Sequence, residues 1–378
     1  MNPFVERIEP SLIRALNARK LPGDIDLGLG EPVLRPDMHP FEAALARATR
    51  EGTPYSPNGG FTELRETVAR HHGIVGRGAA ANVCVTVGSE EALYLAVKTV
   101  VDPVHDEVVI VEPCYLAYPK ICVLEGIAYR TAALDPADGF TPRAAAVLGA
   151  LGPSTRLVIL NSPGNPTARV WPAEELRALA EGLAARPGPP VFVLVDEVYR
   201  ELYYTPEPPV SLATLYPHTL TVGSLSKSNA LTGMRIGWLI ADAEVTAAAI
   251  KVHSLINTAC STFSQWVAME TFARAGSLAA HRPLYARRRE ALLAAAARHG
   301  IALVEPEGAF YAFVRLPAGH AADSMRAAER LLEEHRVVAV PGIAFGRSAE
   351  GWLRITWVAD EATLDEGMRR MAAFFATP

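Results

Sequence analysis

Cysteine is scarce in this chain, at four in 378 residues. Cys84, Cys114, Cys122 and Cys260 show no CxxC spacing, which argues against a disulfide framework or a zinc site, and no metal is expected. Cys84 and Cys122 fall in apolar runs and read as small core residues. Reduced thiols fit a cytoplasmic enzyme. No apolar run approaches the roughly 18 residues of a membrane span, and the opening stretch Asn2-Pro3-Phe4-Val5-Glu6-Arg7 has no signal-peptide core. An excess of basic residues is also missing. Lys and Arg total 36 against 41 Asp and Glu, for a net charge of −5, which argues against a nucleic-acid footprint. The densest basic run, Arg287-Arg288-Arg289, is followed by Glu290 in a helical stretch and reads as a solvated helix face. There is no internal repeat, low-complexity tract or free linker.

Half of the residues are hydrophobic and a fifth are charged, so the chain is globular and long enough for two domains. From 83 to 240, β-branched runs alternate with helical stretches. Strands are expected at Val83–Val87, Glu107–Val111, Ile127–Arg130, Arg156–Leu160, Val191–Val195, Thr219–Val222 and Arg235–Ile240. Helices are expected at Ser89–Val100, Tyr115–Leu124, Pro142–Leu151 and Pro172–Ala185. That alternation predicts an α/β fold: a three-layer large domain around a mostly parallel seven-stranded sheet, with ligands at the carboxyl ends of the strands. After 241 the texture changes. One long helical region to about Ala275 and a helix at Leu284–His299 lead to shorter strands near Ile301–Val304, Ala309–Arg315, Val337–Val340 and Trp352–Val358. Helices near Ala321–His335 and Glu361–Phe375 complete a smaller α+β domain. The expected division is 41–275 for the large domain, with 1–40 as an arm that joins 276–378 and the active site between the two.

The chemistry gathers at the strand ends. Lys227 lies in a Gly/Ser turn after Thr219–Val222, with Arg235 eight positions on. A lysine among hydroxyls and an arginine suits an aldehyde cofactor held as a Schiff base beside its phosphate, although a loop lysine taken singly is usually just a surface residue. Asp196 ends the apolar run Val191–Val195. A buried carboxylate there needs a partner, for which a protonated pyridine nitrogen is suited; capping the next helix is the other reading. Tyr199, three residues on, reaches toward the same ligand. Asn165 sits in the proline-stiffened loop Asn161-Ser162-Pro163-Gly164-Asn165-Pro166-Thr167, where it either donates to a cofactor oxygen or belongs to an ordinary turn. Gly88-Ser89-Glu90-Glu91 joins strand to helix. Gly88 permits close approach, Ser89 can cap, the free N–H groups suit a phosphate, and the two glutamate side chains are expected to point away. Tyr115 can stack on a flat ring or be a half-buried loop tyrosine. Arg354, alone among apolar residues in Trp352–Trp357, suits an α-carboxylate or an edge-strand surface. The backbone of Gly28-Leu29-Gly30 could approach the same substrate.

Together these segments resemble the class I/II aminotransferases of pyridoxal phosphate fold type I. The likeness runs in order through Gly30-Glu31-Pro32, Tyr55 to Gly60 with Leu64-Arg65, Gly88-Ser89, Pro113 and Tyr115, and Asn165-Pro166-Thr167. It continues through Asp196-Glu197 with Tyr199, Ser224, Ser226 and Lys227 with Arg235, Pro341-Gly342 with Phe345-Gly346, and Arg354. The resemblance implies that Lys227 carries the cofactor, Asp196 pairs its ring nitrogen, Tyr199 and Asn165 bind its ring oxygen, and Tyr115 stacks on it. Ser89, Ser224, Ser226, Arg235 and the Gly88–Glu90 backbone would cup the phosphate. Arg354, with Gly30 and Asn165, would bind the substrate. Tyr55 would reach the phosphate of a neighbouring subunit, which implies a homodimer with shared sites.

The implied activity moves an amino group from an L-amino acid to a 2-oxo acid by a ping-pong route through the Lys227 Schiff base. The alternative is β- or γ-elimination, or aminocyclopropane-carboxylate-synthase-like chemistry, on the same fold. A non-catalytic effector domain would need a DNA-binding module that residues 1–40 do not supply. The pattern departs from the family at Ala168, where glycine is frequent, and at Met234, where tryptophan is. No second arginine for a distal carboxylate is evident; Arg35, Arg65 or a residue between Ser254 and Gln265 are candidates. Tyr55, Tyr115, Tyr118, Phe345, Val33 and Leu34 are expected around the substrate side chain.

Overall fold

The structure is a computed structural model that describes residues 2–10 and 12–377. Residues 1 and 11 of the expected arm and residue 378 of the expected small domain lie outside the described residues. Seven strands form one sheet in the spatial order Val83–Val87, Ile236–Ile240, Thr219–Ser224, Phe192–Asp196, Thr155–Asn161, Glu107–Glu112, Ala128–Ala133. Six run in one direction. Ile236–Ile240 alone is antiparallel to both of its neighbours. The period of two along each strand explains the layering. Leu157 and Ile159 pack into one core, with Leu194 and Leu220. Val158 and Leu160 face the other, with Val193 and Val195. Strands buried on both faces need apolar residues at every position, which is what these runs supply.

Most helices stand near their expected places, with ends shifted by one to three residues. Gly88–Val100 buries Ala92, Leu93, Leu95, Ala96 and Val97 against the sheet. Leu93, Leu95 and Val97 each contribute about 1.5–3 kcal/mol on burial, so the helix is fixed by its sheet-facing stripe. Ser89 does not cap it, because the helix begins at Gly88 and no side-chain cap is made. The expected single helical region after 241 is two helices, Ala243–Ile256 and Thr262–Ala273, broken at 257–261. Ser261 restarts the second by accepting from the Ser264 N–H. Two helices that the sequence reading left unassigned, His39–Glu51 and Thr62–His71, bury few of their own residues.

A second sheet has four antiparallel strands in the order Val340–Pro341, Trp352–Thr356, Tyr311–Arg315, Leu303–Val304. The expected strand Val337–Val340 is split between sheets, since Val337–Val338 instead pairs in parallel with Ile25–Asp26 of the arm. Further on, the arm's Leu27 carbonyl accepts from the Thr356 N–H at 2.7 Å. The arm is thereby stitched to the strand that carries Arg354, and Gly28 and Gly30 are drawn toward the carboxyl edge of the large sheet.

Candidate active site

Five strands of the large sheet deliver their carboxyl ends to one edge. Asn161 and Asp196 are register partners, and Asp196 pairs in turn with Val222. The turn after Ser224 brings Ser226 and Lys227, Gly88 follows Val87, and Tyr115 follows Glu107–Glu112. Against this edge lie the arm at Leu29–Glu31, and Tyr311 and Arg354 from the small sheet. Between them is a cavity of about 710 Å³, a volume suited to a cofactor with a small substrate.

Lys227 Nζ donates to the Gly30 carbonyl at 2.8 Å, bridging the two parts of the chain. Asp196 is buried, and its carboxylate accepts from the Tyr118 hydroxyl at 2.8 Å and the Val198 N–H at 3.2 Å. Burial pushes its pKa from 3.8 up to about 6, although both hydrogen bonds and the Lys227 charge pull the other way and Glu90 adds to the rise. Val198 is in a turn, so the helix-capping reading of Asp196 does not hold. Tyr118, expected beside the substrate side chain, lies instead on this carboxylate. The reason is its helix, Ala117–Glu125, whose buried face turns toward the end of the Phe192–Asp196 strand.

The Asn165 loop is held by its neighbours. The Asn161 side chain donates to the Asp196 carbonyl at 2.7 Å and accepts from the Asn165 N–H at 2.7 Å. Asn165 Oδ1 then accepts from Arg354 Nη1 at 3.1 Å, while Arg354 Nη2 donates to the Gly28 carbonyl at 2.7 Å. Arg354 is 3 % exposed, lies over the rings of Tyr311 and Phe345, and has no partner at Nε. Burial lowers its pKa, and nearby tyrosines and Asp26 oppose that fall. A buried guanidinium with an unmatched Nε edge fits an incoming carboxylate. Tyr199 and Tyr311 share a hydrogen bond of 2.8 Å between their hydroxyls at the cavity wall. Tyr311 is a site residue that the sequence reading missed, although its strand was expected.

At the start of Gly88–Val100, Ser89, Ser226 and Arg235 face the cavity. Gly88 has φ +76, and a Cβ there would sit 2.4 Å from Arg235 Nη2, so glycine is needed for the guanidinium to approach. Gly88 and Ser224 stand behind the lining and do not form it. Ser224 accepts from the Ser226 N–H and donates to the Ile236 carbonyl, which holds the turn. Arg235 precedes the Ile236–Ile240 strand and does not begin it. It has φ +50 and donates to the Thr232 carbonyl at 3.0 Å.

Several expectations are corrected. Glu91 does point away, accepting from the Val87 N–H and binding His253 and Asn257. Glu90 points into the cavity, where Tyr115 donates to it at 3.3 Å; desolvation raises its pKa against that bond and against the Arg235 and Lys227 charges. Phe345 is packed behind Arg354, and neither it nor Val33, Leu34 or Tyr55 lines the cavity. Arg35 and Arg65 do not line it either; Arg65 Nε is spent on the Val83 carbonyl at 2.7 Å. Tyr55 is 89 % exposed.

These residues fit pyridoxal phosphate. A buried carboxylate, a helix start with Ser89, the Ser226 and Arg235 side chains, a lysine amine and tyrosine rings all line one cavity. The family model for aminotransferase class I and II matches residues 23–371. An aspartate/prephenate aminotransferase of Thermus thermophilus is 34% identical over 382 residues, covering 97% of both chains. The solved structure of Thermus thermophilus aspartate aminotransferase with maleate superposes with a TM-score of 0.91 at 34% identity, over 99% of each chain. The aspartate aminotransferase structure from Thermotoga maritima gives 0.91 at 27% identity, over 100% of each.

Proposed function

The chain belongs to the class I and II aminotransferases, and from that premise we propose that it binds pyridoxal phosphate at Lys227 and exchanges amino groups between L-amino acids and 2-oxo acids at that one site. The observation that carries this reading is the convergence of the Lys227 amine, the buried Asp196 carboxylate and the Arg354 guanidinium on one cavity. The named relatives are aminotransferases, which does not favour the elimination alternative.

Bound pyridoxal phosphate supplies an aldehyde that links to amino groups and a ring that accepts the electron pair freed at Cα. Asp196 would hold a proton on the ring nitrogen; Tyr118 and Val198 fix its carboxylate for that task. Arg354 would bind the substrate α-carboxylate through its unmatched Nε edge, with Gly28 and Asn165 holding the guanidinium plane. Lys227 Nζ would take the Cα proton and return it, so a single amine serves as base and then acid. Ser89, Ser226, Arg235 and the free N–H groups at the helix start would hold the phosphate. Tyr199, Asn165 and Tyr115 would set the ring's position.

The two-unit division is part of this proposal: 41–275 supplies the cofactor groups, and 1–40 with 276–378 supplies Gly30 and Arg354. A second copy of the chain is too. Tyr55, Leu255 and Ile256 are exposed around a loop pair tied by the Asn58 side chain to the Thr258 carbonyl at 2.8 Å. A homodimer would cover this apolar surface and bring Tyr55 to a neighbouring phosphate. Four free, buried cysteines suit a reducing cytoplasm, and no helix among the described residues is long and apolar enough to cross a membrane.

The test is reconstitution with pyridoxal phosphate, then an amino acid and a second 2-oxo acid. The amino group should be recovered on the second acid. Lys227→Ala should lower turnover by at least about 1,000-fold and prevent borohydride from fixing cofactor to the chain. Release of ammonia with no transfer would sink the reading.

A further inference from the structure

Seven charged side chains line the cavity, and the proposed function employs four of them: Asp196, Lys227, Arg235 and Arg354. The remainder are Glu31, Glu90 and Lys120. Glu90 accepts from the Tyr115 hydroxyl, Glu31 from the Thr232 hydroxyl, and among the described residues neither carboxylate has an ion-pair partner. Lys120 is already engaged, donating from Nζ to the Glu9 carbonyl of the arm at 2.9 Å.

We propose that Glu90, supported by Glu31, is the subsite that reads the substrate side chain, and that the group it takes is cationic, the guanidinium or ammonium end of a basic amino acid. The proposal rests on the aminotransferase reading and extends it to a substrate class. Glu90 is the third residue of Gly88–Val100, at the same helix start as the proposed phosphate site. Arg235 and Lys227 are the positive charges that act on Glu90; the phosphate and the cofactor would engage both, and the phosphate would add negative charge, so a substrate cation would supply what those two no longer give. The Tyr115 bond holds the Glu90 carboxylate at the wall of the cavity that Lys227 and Arg354 also line. A substrate with a distal carboxylate would meet two glutamates and a single lysine, Lys120, whose ammonium is drawn toward the Glu9 carbonyl. That is selection by repulsion as well as attraction.

The experiment uses the reconstituted holoenzyme with pyruvate as acceptor and compares kcat/KM for arginine, ornithine, lysine and aspartate as donors. At least one basic donor should exceed aspartate by about 10-fold or more. Glu90→Gln, which keeps shape and removes charge, should lower the basic-to-aspartate ratio by about 10- to 100-fold, chiefly through KM. Glu90→Lys should reverse the preference. The subsite is overturned if wild type prefers aspartate, if neither variant moves the ratio, or if Lys120→Ala abolishes aspartate use. Failure of all donors, alanine included, to give up an amino group would overturn the function itself.

Discussion

The Tyr118 hydroxyl donates to Asp196 Oδ2 at 2.8 Å, between two buried side chains 78 residues apart in sequence. That bond stabilises the ionised carboxylate against the burial that raises its pKa. Tyr118→Phe removes the donor with little change of shape, so the Asp196 pKa should rise further. Cofactor uptake by the apoprotein should then lose its acid limb at higher pH, shifted by about one unit. An uptake profile that does not move would show that Tyr118 serves packing alone.

Asp196→Asn should separate stability from function. The folded apoprotein holds the Asp196 proton up to about pH 6, while the unfolded chain releases it near 3.8. In that window the native state binds more protons, so its stability falls as pH rises, and above it the penalty is fully present at about 3 kcal/mol. Asparagine has no proton to lose. The apo variant should therefore be more stable than wild type by about 2–3 kcal/mol at pH 7, with the difference fading below pH 4. Paired urea denaturations at several pH values measure this. Amine transfer should fall by at least about 100-fold in the same variant. Equal stability at neutral pH would mean that water or a conformational change already relieves the buried charge.

Which features the sequence disclosed follows from how local their causes are. Val191–Val195 had to be a central strand because every residue is apolar, and Asp196 was conspicuous as the carboxylate that ends it. Lys227 and Arg235 stood out because their turn is short and rich in hydroxyls. By contrast, the break at 257–261 leaves no strong sign in a region apolar on both sides of it. His39–Glu51 has its apolar Leu45 exposed in this chain, so a single-chain core pattern could not reveal the helix. Tyr118 and Tyr311 reach the site through contacts made by packing, for which no spacing rule exists. Tyr311 and Phe313, two apart in the strand Tyr311–Arg315, were the available hint for the second. The direction of Glu90 depended on a rotation of one helical position: Glu91 takes the Val87 N–H and His253, and its neighbour is left to face the cavity. Ala168 has φ +56, so this turn keeps the left-handed backbone that glycine would adopt freely.

Arg354→Lys tests whether the small sheet contributes the substrate carboxylate site. Lysine retains one charge but not the planar fork, and it can satisfy at most part of what Nη1 and Nη2 give to Asn165 and the Gly28 carbonyl. Loss of a charge-assisted hydrogen bond at a buried site costs about 1.5–3 kcal/mol, so KM for amino donors should rise by about 10- to 100-fold. Because every amino acid carries an α-carboxylate, the factor should be the same for alanine, aspartate and arginine. That uniformity distinguishes this residue from Glu90, whose variants should change the ratio between donors. A loss confined to one class of side chain would move Arg354 out of the carboxylate role. A large fall in the melting temperature with KM unchanged would instead make it a strut between the arm and the Asn165 loop.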